Sequence, residues 1–354
     1  MAMAFDYLRT DVTYSLRVAL HDPKTGAVRG ELQGVSGGKL TLDYYSDTKA
    51  SATVETVSTG SDGWDGTAAM RLHFDVSDSM GERVWGDTLF TGFVKGVDEQ
   101  RRDGMYVRKY ELGSKLWTLQ NDLMGILYMD AGLSVQAAIT HILKDTGGAI
   151  YEVGCPDAAL RAQRIIEPGT SRLSALYDLA DAAGIQVSVT QGGDISLGRY
   201  VEPSRRGADF DANASASRGD VIEPIKVSDA TLGLYSGYMV VSKKNDRYAY
   251  GTAERTSGRA SAAARGYRYM GKESINDLAP FSNAAAATEA RKLLNRDTAV
   301  AEMSHGLLFK PLRVGMIERF WQASKSTRWL VKSANLDMNP GLWTWDVDLK
   351  GGWA

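Results

Sequence analysis

Two hairpin-like stretches, far apart in the chain, repeat one residue pattern and limit the possible folds most strongly. FVKGVD (93–98) is echoed by LVKSAN (330–335), and YVRKYEL (106–112) is echoed by WTWDVDL (343–349). The separation is 237 residues in both halves, from Phe93 to Leu330 and from Leu112 to Leu349, and no gap is needed. This repeat predicts two copies of one β module around a different segment, an arrangement typical of assembly proteins. Alternating hairpins also resemble one another generally, so chance likeness stays open here.

Residues 11–112 alternate between apolar and polar side chains. In Met70–Val76 the Met, Leu, Phe and Val side chains fall on one face, and Arg, His and Asp fall on the other. This period of two predicts half-buried antiparallel strands. Turn signals such as Asp62-Gly63 and Asp103-Gly104 separate the runs, and several short strands at this spacing indicate a barrel or sandwich.

Residues 115–200 change to helical spacing. The third predicted helix has Thr170 as its candidate N-cap, an apolar face that includes Leu173 and Leu176, and Gly184 at its end. A strand, a Gly192-Gly193 turn and another strand follow, so this segment predicts a small α/β unit.

The remaining chain returns to strands after a polar segment. Residues 202–222 resemble a linker or long loop, residues 251–266 look mobile, and a helix is predicted at 283–296 before three closing strands. We therefore expect a mainly β fold with an α+β insert, in which two similar antiparallel β-barrel modules flank a small α/β domain. The predicted domains are a first barrel at 1–114, an α/β insert with linker at 115–222, and a second barrel with one helix at 223–354.

Composition excludes several classes of protein. The 354 residues carry a net charge of -2, so no overall basic bias points to nucleic acid. The one cysteine, Cys155, excludes an intrachain disulfide framework. The amino terminus lacks the basic and apolar regions of a secretory signal, and no run of about 18 apolar residues occurs. We expect a soluble protein without a membrane-spanning segment, made in a cytoplasm.

Motifs for catalysis, cofactors and metals are weak. Gly34–Gly38 matches the Gly-x-Ser-x-Gly pattern around Ser36, but the residues that follow predict a strand where that motif needs a helix. The four histidines, His21, His73, His141 and His305, lack zinc-type spacing, and no phosphate-binding glycine loop occurs. We therefore predict no catalytic residue, no cofactor site and no metal site, and we expect that the protein is not an enzyme.

Three groups of residues leave a functional alternative open. Asp62 and Asp65 could place two carboxylates near a cation, although a turn is the simpler interpretation. Arg255, Arg259, Arg265 and Arg268 could contact a polyanion or an acidic partner, or form a solvated loop. Trp343, Trp345 and Trp353 could line a carbohydrate site, or lie in a core or subunit interface.

Two segments and the order of modules carry a family resemblance. Gly169–Ile185 resembles the helix, glycine and strand of the insert between the barrels of tailed-bacteriophage baseplate hub proteins. Those proteins include the amino-terminal structural region of tail-associated lysins. Lys310–Ile317 is similar to the family's Pro-x-x-x-Gly-Asp-x-Val/Ile stretch, with Met316 in place of the frequent Asp. The likeness covers nearly the whole chain.

The resemblance implies a structural virion protein of the phage tail tip. Hub proteins of this family are homotrimers whose two barrels per subunit form a pseudo-sixfold ring. That ring joins the sixfold tail tube to the threefold tip and lets DNA pass during genome ejection. The implied partners are the distal tail protein, the tape measure protein, and tail-tip or receptor-binding proteins. Because the chain ends directly after its last predicted strand, the resemblance implies a hub without a fused lysin.

Two other functions compete with this interpretation. A cell-wall or polysaccharide hydrolase of β architecture would use exposed carboxylates such as Asp62 and Asp65. A carbohydrate-binding module would use Trp343 or Trp345.

Overall fold

The structure of the chain is a computed structural model. The structure describes residues 12–146, 150–153, 158–160, 162–214, 219–229, 233–275, 278, 281–296 and 301–353. Cys155 lies outside these described residues.

Seven strands occupy the amino-terminal part of the chain. They form an antiparallel array in the order β3-β4-β7-β6-β5-β1-β2. Their apolar side chains alternate as predicted: Met70, Leu72, Phe74 and Val76 of β5 are all buried. The strands are β1 (Thr13–His21), β2 (Val28–Glu31), β3 (Val35–Asp43), β4 (Ala50–Ser58), β5 (Ala69–Ser77), β6 (Arg83–Arg102) and β7 (Met105–Gly113).

A small α/β insert follows and has a hydrophobic cluster of its own, which includes Leu116, Ile139 and Leu176. Its strands form a two-stranded sheet (β8, β10) and a three-stranded sheet in the order β11-β12-β9. The elements are α1 (Lys115–Gln120), β8 (Leu127–Met129), α2 (Val135–Ile142), β9 (Ile150–Val153), β10 (Arg164–Ile166), α3 (Arg172–Ala183), β11 (Ile185–Val189) and β12 (Ile195–Arg199).

The ends of α3 show why the chain folds as a helix here. The N-cap is Ser171, whose hydroxyl accepts a hydrogen bond from the backbone N–H of Ser174, so the prediction of Thr170 was one residue early. Gly184 ends the helix in the left-handed conformation with φ 67°, as predicted. This conformation costs little for glycine because it has no Cβ.

The carboxy-terminal part begins with a short 3₁₀ turn at Pro203–Arg205. The segment predicted as a linker also contributes a strand, β13, which pairs in parallel with β19. The remaining elements are β13 (Phe210–Asn213), β14 (Val221–Asp229), β15 (Gly237–Lys244), β16 (Arg247–Glu254), α4 (Ala262–Arg265), β17 (Met270–Ser274), α5 (Asn283–Arg296), β18 (Ala301–Leu308), β19 (Ile317–Gln322), β20 (Lys325–Asp337) and β21 (Thr344–Trp353).

A second inserted unit lies between β14 and β18 and was not predicted as a separate unit. Strands β16-β15-β17 form their own sheet, against which α5 packs. The packing is close, because Gly251 of β16 leaves no room for a Cβ beside the backbone of Ala286 and Ala287. Its hydrophobic cluster, which includes Val240, Ala249 and Ala290, is distinct from the main core.

Strands from both ends of the chain join in one 13-stranded sheet around one main hydrophobic core. The core combines residues of the first module, such as Leu72 and Phe74, with Phe309, Trp343 and Trp345 of the second. This architecture confirms the predicted fold class, a mainly β fold with an α+β insert. The domain boundaries at 114/115 and 222/223 stay a prediction.

Candidate assembly surfaces

The two predicted hairpins have the same strand register, residue by residue. In β6–β7, Phe93 lies opposite Gly113 and Val97 lies opposite Tyr110. In β20–β21, the residues 237 positions later occupy the same places, with Leu330 opposite Lys350 and Ala334 opposite Val347. The match continues to the pairs Gln100–Val107 and Asp337–Thr344. The repeat seen in the sequence is therefore a structural duplication.

An irregularity in both hairpins strengthens this conclusion. The register shifts between Val94 and Gly96 in the first hairpin and between Val331 and Ser333 in the second. Lys95 and Lys332 are thus the extra residues of a β-bulge, again 237 positions apart. A bulge bends the strand and increases its twist, so both hairpins bend at the same place.

The duplication extends over five strands. The hairpin β6–β7 lies in the order β3-β4-β7-β6-β5, and the hairpin β20–β21 lies in the order β14-β18-β21-β20-β19. We call these the first and second five-stranded units. The next strand differs, because β1 pairs antiparallel with β5 whereas β13 pairs parallel with β19.

The two units are joined by backbone pairing between β3 and β20. Residues 39–43 of β3 run antiparallel to residues 333–337 of β20. The Thr41 hydroxyl donates a hydrogen bond to Oδ1 of Asn335 at 2.9 Å on the exposed side of this junction. On its inner side Leu40 and Leu336 lie directly opposite each other, and both are 1% exposed. The junction is therefore both hydrogen-bonded and apolar.

A polar cluster in the first unit is centred on Asp62. Asp62 is buried and accepts hydrogen bonds from the hydroxyls of Tyr110 and Thr56, while Arg108 Nη1 lies 3.2 Å from its Oδ1. Burial raises the pKa of Asp62, but the hydrogen bonds from Tyr110 and Thr56 and the Arg108 charge outweigh it, so the pKa is below its usual value. Burial and the Asp62 hydrogen bond raise the pKa of Tyr110.

A second buried pair lies in the second unit. His305 of β18 and Glu318 of β19 are 2.9 Å apart, and neither side chain is exposed. Burial lowers the pKa of His305, but the hydrogen bond and negative charge of Glu318 outweigh burial and raise it overall. A buried charge needs such a partner, so this pair holds β18 and β19 together.

Asp62 and Asp65, the carboxylates considered for hydrolysis, form hydrogen bonds that stabilise the fold. Asp65 accepts hydrogen bonds from the backbone N–H groups of Thr67 and Ala68, which lower its pKa to about 2. A glycosidase acid needs a raised pKa, whereas the pKa values of both Asp62 and Asp65 are lowered. This geometry does not support the hydrolase alternative.

The other residues singled out in the sequence also have structural surroundings. Ser36 lies on β3, where its hydroxyl donates to the backbone carbonyl of Glu55, so the predicted strand context is confirmed. Trp343 and Trp345 are completely buried, and their indole N–H groups donate to the carbonyls of Asn339 and Lys310. These two rings are therefore core residues and have no face available for stacking on a sugar.

The arginines of the basic stretch contact their own inserted unit and the end of β14. Arg255 Nε and Arg265 Nη1 donate to the carbonyls of Tyr235 and Leu234, and Arg259 lies 3.4 Å from Asp229. Arg268 forms an ion pair with Glu254. These contacts favour a structural role for the arginines over contact with a polyanion.

In the part of the chain that the structure describes, no cluster of three or more His, Cys, Asp or Glu side chains could hold a metal ion. Within the same residues, no helix has the length and apolar character needed to cross a membrane.

Sequence reasoning missed the β3–β20 junction and the full extent of the duplication. A signal existed: the run Lys39-Leu40-Thr41 of β3 has a counterpart in Lys226-Val227-Ser228 of β14. The likeness is only three residues long, so it becomes informative once both strands are known to occupy equivalent places.

Solved structures of low sequence identity share this fold over almost the entire chain. The tail protein from Neisseria meningitidis has a TM-score of 0.67 at 13% identity, with 95% of this chain and 96% of that chain covered. A 43 kDa tail protein of a Shewanella oneidensis prophage also has a TM-score of 0.67, at 11% identity, with coverage of 95% and 98%.

A secretion protein shares the fold as well. A component of the Escherichia coli type VI secretion system has a TM-score of 0.55 at 10% identity, with 95% of this chain and 78% of that chain covered. No protein-family model and no curated protein sequence matches this chain. The structure therefore confirms the sequence-based resemblance at the level of the fold, which is the fold of phage tail proteins and of this secretion-system component.

Proposed function

We propose that this protein is a structural hub of a bacteriophage tail tip, and that it is not an enzyme. Three copies form a ring in which the two five-stranded units of each subunit alternate. The ring therefore has six similar modules but true threefold symmetry. The observation that carries this proposal is the duplication itself, with one register and one bulge position in both units.

The physical argument concerns symmetry. A sixfold tube presents six equivalent surfaces, and a trimer of single modules can match only three of them. Two modules of the same strand order in each chain supply six similar surfaces, while their different neighbours, β1 and β13, keep the threefold identity. Closed rings also cover strand edges that would otherwise seek partners.

The position in the virion follows from this symmetry. The sixfold face meets the tail tube and the distal tail protein, and the threefold face meets tail-tip or receptor-binding proteins. The tape measure protein ends at the channel, and DNA passes through it during genome ejection. Fold likeness to phage tail proteins at full coverage supports this assignment.

Electron cryo-microscopy of assembled tails, with light scattering of the purified protein, tests the proposal. We expect a threefold ring with six barrel densities at the tail tip, and a particle of about three times 38.5 kDa when the free protein assembles. A protein that stays monomeric and is missing from purified tails would overturn it.

A further inference from the structure

In the described residues, each of the two five-stranded units has one strand edge without a pairing partner. Beyond Gly92, β6 pairs only with β7, so residues 94–102 present one open edge. At the end of the 13-stranded sheet, β14 pairs only with β18. Open edges expose backbone N–H and C=O groups that can pair with another chain.

These two edges are the counterparts of the two strands that form the junction inside the chain. The 237-residue repeat places Ala334–Asp337 of β20 at the positions of Val97–Gln100 in β6. β14 occupies the place of β3, because Lys226 lies opposite Ser304 as Lys39 lies opposite Thr53. Ser304 and Thr53 in turn lie opposite Asp348 and Glu111, which are 237 residues apart.

The two open edges do not pair with each other within one copy. The path β14-β18-β21-β20-β3-β4-β7-β6 separates them by six strands, and the junction β20–β3 lies at its middle. The second unit therefore contributes β20 to the internal junction, and its strand β14 has an unpaired edge. The first unit contributes β3 to that junction, and its strand β6 has an unpaired edge. A second copy of the chain brings the two missing strands together.

The exposed side chains fit this pairing. Val227 is 63% exposed, whereas Leu40 at the equivalent place is 1% exposed beneath β20. Val97 is 37% exposed, whereas its counterpart Ala334 is completely buried. Apolar residues thus lie on both open edges at positions that the internal junction buries.

The polar face fits as well. When β14 and β6 are paired in the register that β3 and β20 have within the chain, Ser228 lies opposite Asp98. Thr41 lies opposite Asn335 in the same way in the internal junction. Lys226 lies diagonal to Asp98 on the same face, and opposite charges at such positions attract. Pairing in this register would set a hydroxyl beside a carboxylate, and a Lys–Asp charge pair diagonal to it, at the place of the internal Thr41–Asn335 hydrogen bond.

A cavity lies beside the open edge of β6. It has a volume of about 650 Å³ and is lined by Val97, Glu99, Arg108 and Tyr110, among others. In the second unit, Leu336 lies opposite Leu40 of β3, and both side chains are buried. Glu99 stands at the place of Leu336 and binds Arg108 at 2.6 Å, so the intermolecular junction is more polar than the internal one.

We propose that β14 of one copy pairs antiparallel with β6 of a second copy, with Ser228 opposite Asp98, and that Val227 covers the cavity. This inference deepens the proposed hub function and depends on it for closure into a ring of three. The contact is heterologous, because β14 and β6 are different surfaces, and such contacts form rings when the rotation closes.

Disulfide trapping tests the register in the full chain. In a Cys155→Ser background, we expect Ser228→Cys with Asp98→Cys to form intermolecular disulfides under mild oxidation, with covalent dimers and trimers on non-reducing gels. Directly opposite residues of antiparallel strands have Cα separations that a disulfide can bridge. Two controls are built in: Thr41→Cys with Asn335→Cys should close within one chain, and Ser228→Cys with Glu99→Cys should not cross-link because the side chains face opposite ways.

An edge-blocking variant gives a second measurement. Val227→Pro should lower the assembled fraction at least tenfold by light scattering, because proline removes a backbone donor and bends the edge. The matched control is Val28→Pro on β2, which is 70% exposed and outside the proposed contact. Equal assembly of the two variants would overturn the proposed contact.

The outcomes separate this inference from the proposed function. A threefold particle without Ser228–Asp98 cross-links would overturn the strand pairing and leave the hub intact. Cross-linked open filaments would support the pairing and overturn the closed ring. A protein that stays monomeric at all concentrations, forms no cross-links and is missing from purified tails would overturn both the strand pairing and the hub function.

Discussion

His305 and Glu318 show how a single buried pair makes stability depend on pH. The folded chain raises the pKa of His305 above the ordinary value of about 6.5, because Glu318 stabilises the protonated ring. Asp220 adds to this effect, although Lys310 forms an ion pair with Asp220. The folded protein therefore holds a proton that the unfolded chain releases at lower pH.

We predict that this pair stabilises the protein fully below about pH 6.5 and progressively less as the pH rises through the raised pKa of His305. Where the folded state binds more protons than the unfolded state, stability falls with increasing pH. The difference in Tm between the natural protein and His305→Gln should therefore shrink as the pH rises above about 6.5. Calorimetry at one-unit pH intervals measures this difference.

A second histidine supplies a control of opposite sign. Burial lowers the pKa of His73, with nearby Arg17 and Arg71 adding to the effect. The natural protein should therefore lose stability relative to His73→Gln as the pH falls below about 6.5. A Tm difference for His305→Gln that is constant with pH would contradict the assigned protonation.

At the scale of elements, β20 is the strand that ties the molecule together. Its first half pairs with β19, its second half pairs with β3, and β21 pairs with residues 328–337 on the other side. Three neighbours explain why it is 13 residues long, and why its buried residues extend from Trp329 to Leu336.

We predict that the β3–β20 junction contributes strongly to stability through Leu40 and Leu336. Each Leu→Ala change should lower the free energy of unfolding by about 2–5 kcal/mol, because it removes buried carbons and leaves a cavity. The two changes should not be additive, with a coupling of about 0.5–3 kcal/mol, since the side chains lie opposite each other. Urea unfolding of the single and double variants measures these values.

Val28→Ala on β2 is the matched control for this cycle, because Val28 is 70% exposed. It should change the free energy of unfolding by less than about 0.5 kcal/mol. Strict additivity of Leu40→Ala and Leu336→Ala would show that the two side chains do not stabilise each other across the junction.

The sequence allowed good prediction of elements that carry their own signal. Met70–Val76 alternates with period two, and the helix at Asn283–Arg296 has an alanine-rich run, so neighbouring residues suffice to specify them. β13 was missed because its four residues, Phe210–Asn213, contain only two apolar side chains. Its pairing with β19 depends on a strand more than 100 residues away.

Some features of the candidate assembly surfaces could likewise be predicted from the sequence, and others could not. The duplicated hairpins could be predicted because similar residues recur in both at a constant spacing. The β3–β20 junction was not found, because Thr41 and Asn335 are 294 positions apart and backbone pairing leaves little trace in side-chain type. Likewise, Asp62 lies in an ordinary turn sequence, and only the fold brings Tyr110 and Arg108 to it.

At the scale of the whole molecule, the second inserted unit is an addition to a complete sheet. Asp229 and Ala301 lie directly opposite each other where β14 ends and β18 begins, so the insert leaves and re-enters the sheet at one point. In the first unit the corresponding strands β3 and β4 are joined by only residues 44–49. The sheet therefore does not need the insert for its connectivity.

We predict that replacing residues 230–300 with the sequence of residues 44–49 leaves the main sheet folded. The hydrophobic cluster of the insert is separate from the main core, so its removal exposes little of that core. We expect one cooperative thermal transition and an unchanged near-ultraviolet circular dichroism signal from Trp343 and Trp345. Loss of this tryptophan signal would show that the insert supports the sheet.

The junction between Thr41 and Asn335 has a consequence for biosynthesis. β3 leaves the ribosome early, but its partner strand β20 is made only near the end of translation, 294 residues later. Throughout that interval the nascent chain carries an uncovered strand with apolar Leu40 and Leu42, which is a template for aggregation. Slow elongation should therefore increase dependence on chaperones, and prematurely terminated chains should be insoluble.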